Sequence, residues 1–218
     1  MFTPSMITVR LTVALLGAGL STSLVAAQTT DAGTLMLRIG DREVATESFS
    51  VTTTADGIKL NSHVVFSGRR PVPEFIVNLD RVSDEDFAFQ LETRGPGGGG
   101  QTYAVQKRSR LTVRRVARGT EQATELPGGA AVIVLADSIL SPYMQAAALA
   151  TEAGRALTAV MVPDVRRLAF TARRSTSADG STIRLTGGVE AEIQLGNRGE
   201  LLRIFLPSPG IEAVRQRD

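Results

Sequence analysis

The chain has 218 residues, and its 24 basic and 22 acidic side chains give a formal net charge of only +2. Nucleic-acid-binding proteins usually carry a clustered basic surplus, so no nucleic-acid partner is expected. Cysteine is absent and histidine occurs once, which excludes a thiol nucleophile or thiolate metal site and leaves little for a histidine-based one.

The first 27 residues have the pattern of a secretory signal peptide. Arg10 precedes an apolar run from Leu11 to Leu20, and Val25-Ala26-Ala27 places small residues before Gln28. The apolar run is about half of the roughly 20 residues that a membrane-spanning helix needs. We therefore expect residues 1–27 to be removed and residues 28–218 to form one soluble β-rich domain in the periplasm or outside the cell. Gln28 stands where a lipoprotein would carry cysteine, and we expect no transmembrane segment in the mature chain.

Alternation with period two predicts half-buried strands along most of the remaining sequence. Leu35, Leu37 and Ile39 share a face in the first strand. Similar alternation recurs around 44–54, 58–66, 75–79 and 87–91. Asp56-Gly57 predicts a hairpin turn, because both residues tolerate the positive φ of a type I′ turn. A glycine-rich loop at 95–100 interrupts the pattern before strands resume.

A single helix is predicted between strand-like segments in the second half. Residues 130–136 (AAVIVLA) are continuously apolar, as in a strand covered on both faces. Ser141 can cap a helix, Pro142 suits its first position, and Gly154 can end it. The sequence thus predicts a helix at about 141–153, followed by further strands to Leu206 and a tail at 210–218 that frays.

These elements predict a mainly β fold. The turns between them are mostly short, which makes neighbouring strands antiparallel. A sheet of about eleven strands tends to curl. We expect one strongly curved antiparallel sheet or open barrel of about 11 strands, with the inserted helix covering its concave face.

Three segments carry a resemblance to a known family. They are the opening hairpin GTLMLRIGDREVATESFSV, the strand–helix step VLADSILSPYMQAAA and the closing segment GELLRIFLPSPGIEAVR. Together they resemble secreted bacterial proteins with a lipoprotein-carrier-like (LolA/LolB-like) architecture, in which a curved antiparallel sheet wraps around helices. The resemblance implies a lipid-binding concavity, and no functional residue is transferred from it.

The first functional hypothesis is a non-enzymatic protein that binds a hydrophobic or amphipathic ligand in the concave face. Its candidate wall residues are aromatic or large apolar side chains: Phe49, Phe66, Phe75, Phe87, Phe89, Tyr143, Met144 and Phe170. The second hypothesis is an envelope structural or interaction protein without a small-molecule site, whose sheet edges or arginine-rich face meet a partner protein. The dispersed arginine pairs fit equally well as solvated side chains that face acids on neighbouring strands.

The sequence gives little support for a catalytic or a metal-binding function. His63 lies on a polar strand face, and no serine elbow motif accompanies it. Asp137 follows the most apolar strand but has no evident partner base. The acidic turn at 80–86 lacks calcium-loop spacing, and the glycine-rich loop lacks the features of a phosphate loop. We predict no catalytic residue, no metal site and no cofactor.

Overall fold

The computed structural model describes residues 28–54, 57–68, 72–95, 98–137 and 139–216. The predicted leader at 1–27 lies outside these residues, as do Asp56 of the predicted hairpin turn and Ser138. None of the helices in the described ranges is both long enough and apolar enough to cross a membrane.

Within the described ranges, fifteen strands belong to one continuous sheet. In the N-terminal half they are β1 Thr29–Ile39, β2 Arg42–Thr53, β3 Ile58–Phe66, β4 Glu74–Arg81, β5 Asp86–Arg94, β6 Gly100–Lys107, β7 Arg110–Ala117 and β8 Thr120–Pro127. In the C-terminal half they are β9 Val132–Ala136, β10 Arg155–Val162, β11 Arg166–Ser177, β12 Gly180–Gly187, β13 Ala191–Gly196, β14 Leu201–Leu206 and β15 Ile211–Arg215.

The first and last strands are neighbours in the middle of this sheet. Its order runs from β8 through β1 to β15 and then back to β9. Every pair is antiparallel except β9 with β10. That pair is parallel because the chain crosses back through the helical segment between the two strands, as parallel pairing requires. The two halves of the chain are therefore two meanders that meet at the pairing of β1 with β15.

The expectation of a mainly β fold with one open, curved sheet and one short helix is confirmed. The expectation of about 11 strands is wrong, because the sheet has 15. The predicted frayed tail is also corrected: Ile211–Arg215 forms β15, which pairs with β1 on one side and β14 on the other. Its alternation is short, but burial of Ile211 and Ala213 fixes it as a central strand.

The helical insert is shorter than predicted. A 3₁₀ turn at Ser141–Tyr143 leads into α1, Met144–Leu149, and the chain is extended again at Ala150. Ser141 does not act as the cap, since its hydroxyl is buried without a hydrogen-bond partner. Pro142 lies in the first turn as expected. The helix therefore ends before the predicted stop at Gly154.

One apolar cluster is built from the concave side of both halves. Inward positions of β1 to β7 alternate with exposed ones, as the period-two pattern predicts. All five residues of β9 are buried, as the continuous apolar run predicts. The insert contributes Leu140, Tyr143, Ala146 and Ala147 to the same cluster. The core thus lies between the two halves of the sheet, with the insert inside it.

Candidate functional site

The side chains proposed as walls of a ligand site belong mostly to this core. Six of them are between 1% and 6% exposed: Phe49, Phe87, Phe89, Tyr143, Met144 and Phe170. The other two, Phe66 and Phe75, are partly buried and pack edge to face with their ring centres 5.3 Å apart. These contacts give each aromatic ring a packing role in the fold.

Buried polar groups fix the insert inside the sheet. Glu47 on β2 is fully buried, and its carboxylate accepts hydrogen bonds from the backbone N–H groups of Leu140 and Ser141, both at 2.9 Å. It also accepts the Ser62 hydroxyl at 2.7 Å. The first N–H groups of a helix have no partner within the helix, so Glu47 satisfies them from a neighbouring strand.

Arg81 at the end of β4 reaches across the core to β9. One of its terminal nitrogens donates to the Val132 carbonyl at 2.6 Å and the other to the Asp84 carbonyl at 2.9 Å. The guanidinium also lies over the Phe87 ring, 4.5 Å from its centre. Burial lowers the pKa of Arg81 to about 10, and Asp84 opposes this shift. Arg81 is thus a buried cation that joins the two halves of the sheet.

The other candidate residues do not come together into a reactive site. His63 is an exposed residue bonded to Glu74 at 3.3 Å, and Asp137 pairs loosely with Arg166 at 3.7 Å. Within the acidic turn, Asp84 accepts a hydrogen bond from Arg155 at 2.8 Å. In the described ranges no three histidine or acidic side chains are grouped as a metal site would need.

Tyr143 is the one titratable group of the insert. It lines a cavity of about 270 Å³ together with Asp137 and Arg166. Burial raises the pKa of its hydroxyl to about 12, and the nearby Asp137 carboxylate adds to the shift. The phenol therefore stays protonated at neutral pH.

The two edges of the sheet differ in how their backbone groups are satisfied. Just before β9, the Ala131 carbonyl accepts a hydrogen bond from the Thr158 N–H of β10. Because carbonyl directions alternate along a strand, the Val132 and Val134 carbonyls of β9 point to the free side. Arg81 donates to the first of these, and Gln145 of the insert donates to the second at 2.7 Å. The β9 edge is therefore closed by side chains.

The β8 edge is open. Arg118 and Gly119 both have positive φ and form the two-residue turn between β7 and β8. Because this turn makes Ala117 and Thr120 a hydrogen-bonded pair, the even-numbered residues of β8 bond to β7. The backbone groups of Glu121, Ala123 and Glu125 consequently face away from the sheet. Seven of the eight residues in this strand are exposed.

A cavity of about 510 Å³ lies beside this open edge on the concave side. Its wall includes one row of residues paired across four strands, listed here from β5 to β8: Leu91, Thr102, Arg115 and Gln122. Pro163, in the turn between β10 and β11, closes the opposite side. The described residues of the lining include two arginines, Arg115 and Arg118, and none of these residues is acidic.

Arg115 differs from the other arginines of its strand. Arg110 and Arg114 point to the outer face and form ion pairs with Glu125 and Glu121 of β8. Arg115 points to the cavity, and no carboxylate of the described residues lies within ion-pair distance of it. The cavity therefore presents a positive charge without a counter-ion from those residues.

Sequence reasoning missed this site because β8 does not alternate. Its sequence, TEQATELP, contains one large apolar residue, Leu126. The sequence signals for β8 are the Arg118-Gly119 turn and the spacing that places two glutamates diagonally across from two arginines of β7. The arginine pairs of the sequence predict a binding face but do not distinguish Arg115 from its neighbours.

Comparisons with known proteins give no relative: no protein-family model, curated protein or solved structure matches the chain. The resemblance to lipoprotein carriers therefore stays a prediction.

Proposed function

We propose that this chain is an exported, non-enzymatic interaction protein that binds an extended segment of a partner polypeptide at the open edge of β8. The observation that carries the proposal is the contrast between the two edges of the sheet. Side chains of Arg81 and Gln145 satisfy the outward carbonyls of β9. Glu121, Ala123 and Glu125 on β8 have outward backbone groups, and no strand of the described ranges lies next to them.

The open edge is long enough to bind a strand. Eight residues at about 3.3 Å each give an edge of about 26 Å. The three outward residues each offer one N–H donor and one C=O acceptor, so an added strand can form a ladder of backbone hydrogen bonds. Strand addition of this kind obtains affinity from the backbone and specificity from alternate side chains.

The charges along β8 favour a foreign segment over a second copy of the chain. If two β8 strands paired antiparallel about Ala123, Glu121 of one copy would lie opposite Glu125 of the other. Like charges in directly opposite positions are destabilising. Natural sheets use such charged residues to prevent edge-to-edge association of identical chains. A partner without acidic residues at those two positions avoids this repulsion.

A non-enzymatic role is supported by where the reactive side chains lie. His63 forms a hydrogen bond with Glu74, and both side chains are about half exposed on the sheet surface. Asp137 belongs to the exposed turn after β9 and pairs with Arg166. Among the described residues, no serine hydroxyl lies within hydrogen-bond distance of the His63 ring, as nucleophilic catalysis through this histidine would require.

The test uses a synthetic peptide as the partner segment. The peptide has about ten residues, alternates threonine and valine, and is N-methylated along one edge so that it cannot self-associate. We expect it to protect the amide hydrogens of Glu121, Ala123 and Glu125 from exchange, as measured by NMR. Ala123→Pro removes an outward N–H that the ladder with β7 does not use, so the fold should persist while binding weakens at least tenfold.

Ala123→Val is the matched control, because it changes the same side chain and keeps the N–H. This variant should bind the peptide as the wild type does. Circular dichroism of both variants checks that the fold is retained. Equal binding by the proline and valine variants, or no protection of the three amides in the wild type, would overturn the proposal.

Binding of a hydrophobic or amphipathic ligand in the concave face is the alternative proposal. An amphipathic ligand is the better fit to a cavity of about 580 Å³ at the end of the sheet where β1 begins. Its lining combines large apolar residues with charged ones: Val51, Met144, Leu202, Asp31, Arg198, Glu200 and Arg215. Native mass spectrometry of protein purified without detergent should then detect an acyl-chain adduct that Met144→Trp removes. Unliganded protein in both samples would rule out this alternative.

A further inference from the structure

We infer that the partner segment carries an acidic side chain, which enters the cavity beside β8 and pairs with Arg115. This inference rests on the proposed function, because it names the chemistry of the strand that the β8 edge binds. It follows from the register of the strands, the composition of the cavity and the absence of a carboxylate partner for Arg115 among the described residues.

The register places one partner residue in line with Arg115. Arg115 is paired with Gln122 of β8, and both side chains line the cavity. On the free side of β8, Gln122 occupies a position between outward hydrogen-bonding residues. The partner residue opposite it would point its side chain to the same concave face, with the close approach typical of a non-hydrogen-bonded pair.

The distance suits an ion pair. Neighbouring strands are about 4.8 Å apart, so the partner residue opposite Gln122 would lie two strand spacings, or about 10 Å, from the Arg115 backbone. An extended arginine and a glutamate or aspartate together span this distance. A guanidinium recognises a carboxylate through paired hydrogen bonds, which a neutral side chain cannot reproduce.

The cavity favours an acidic side chain over a neutral or basic one. Among the described residues, its lining combines Arg115 with polar neutral groups, including those of Thr93, Thr102 and Gln122, and has no acidic side chain. On the opposite face of the same edge, Glu121 and Glu125 are already paired with arginines of β7. Arg115 on the concave side therefore offers a positive charge that no described carboxylate neutralises, and a partner strand presents every second side chain to that side.

The experiment compares three versions of the threonine–valine peptide, which differ only in a central glutamate, glutamine or lysine on the face that meets the cavity. We expect the glutamate peptide to bind the wild-type protein at least tenfold more tightly than the glutamine peptide at low salt. The lysine peptide should bind more weakly than either. Added salt should reduce the preference for glutamate, because exposed charges are screened.

Variants of two neighbouring arginines assign the preference to the cavity. Arg115→Gln should abolish the preference for glutamate, so that the glutamate and glutamine peptides bind this variant with equal affinity. Arg114→Gln is the matched control, since it removes a charge from the opposite face of the same strand and should leave the preference intact. Arg115→Glu should reverse the preference in favour of the lysine peptide.

The outcomes separate this inference from the proposed function. If the glutamate and glutamine peptides bind the wild type equally, or if the preference survives in Arg115→Gln, the inference is wrong while strand addition at β8 still stands. If no peptide binds at all, the proposed function fails and the inference fails with it.

Discussion

Glu47 is a buried carboxylate whose partners are hydrogen-bond donors, with no cation of the described residues paired to it. It lies on the concave face of β2, between Ala45 and Phe49, and is 0% exposed. Its two oxygens accept the first N–H groups of the insert and the Ser62 hydroxyl. Removing the acceptor leaves buried donors unsatisfied, which costs more than the net gain from forming such bonds.

Substitution of Glu47 should therefore loosen the insert. Glu47→Ala should lower the free energy of unfolding by about 3–5 kcal/mol, because three buried donors lose their acceptor. Glu47→Gln keeps one acceptor oxygen and should cost about 1–3 kcal/mol. Urea denaturation measures both values. Glu43→Ala changes an exposed glutamate of the same strand and should stay within about 0.5 kcal/mol of the wild type; an equal loss in this variant would contradict the assignment.

Tyr143 makes the stability of the folded protein fall with rising pH in the alkaline range. The pKa of its hydroxyl is raised to about 12 in the folded protein, against an ordinary value of 10. The unfolded chain releases this proton at lower pH, so the stabilisation is complete below about pH 10 and is lost as the pH rises towards 12. Relative to Tyr143→Phe, the free energy of unfolding of the wild type should fall by about 2 kcal/mol between pH 8 and pH 11.5, as measured by guanidinium titrations. A difference between the two proteins that does not vary with pH would refute this cause.

At the scale of single elements, β9 depends on a cation from the other half of the sheet. Arg81→Met keeps an apolar body of similar length but removes the donors to the Val132 and Asp84 carbonyls. We expect the free energy of unfolding to fall by about 2 kcal/mol. The unpaired buried acceptors lower it, and removal of the buried charge offsets part of that loss. Hydrogen exchange should become faster across β9. Arg110→Met removes an exposed ion pair and is the control, with an expected change below about 1 kcal/mol.

The sequence predicts the strands in which burial imposes a regular pattern of apolar residues. β3 shows strict alternation and β9 a continuous apolar run, and both were located correctly. The strand that matters most for the proposed function, β8, is exposed on both faces, so burial imposes no pattern on it. Its position follows from the Arg118-Gly119 turn and from pairing with β7. The candidate ligand walls were found as apolar positions, but sequence alone does not separate a cavity wall from a packed core.

The insert shows why helix boundaries are harder to predict than helix existence. Ser141-Pro142 and the alanines that follow correctly indicate a helix. The expected stop at Gly154 is a local signal, whereas the observed end at Leu149 is followed by pairing of Thr151 with Arg173 on β11. Arg174 of that strand also donates to the Ala147 carbonyl at 2.6 Å. Contacts distant in sequence thus end the helix earlier than its own residues would.

At the scale of the whole molecule, β15 joins the two meanders. It pairs with β1 on one side and β14 on the other, and Arg215 at its end binds Asp31 of β1 at 2.7 Å. Ala213 is fully buried at the centre of this strand, whereas Val214 is 37% exposed on the opposite face. A glutamate substituted for Ala213 would lie inside the junction, and one substituted for Val214 would lie outside it.

Ala213→Glu should disrupt both halves together, because a charge without a partner would be buried where they meet. We expect the free energy of unfolding to fall by more than about 4 kcal/mol, beyond the range of ordinary substitutions. Val214→Glu places the same charge on the outer face and should change it by less than about 1 kcal/mol. Hydrogen exchange followed in β4 and in β12 should accelerate to the same degree in Ala213→Glu, since both strands depend on the same junction. Faster exchange confined to β12 would instead mean that the N-terminal meander is stable without β15, and the sheet would then consist of two separate folding units.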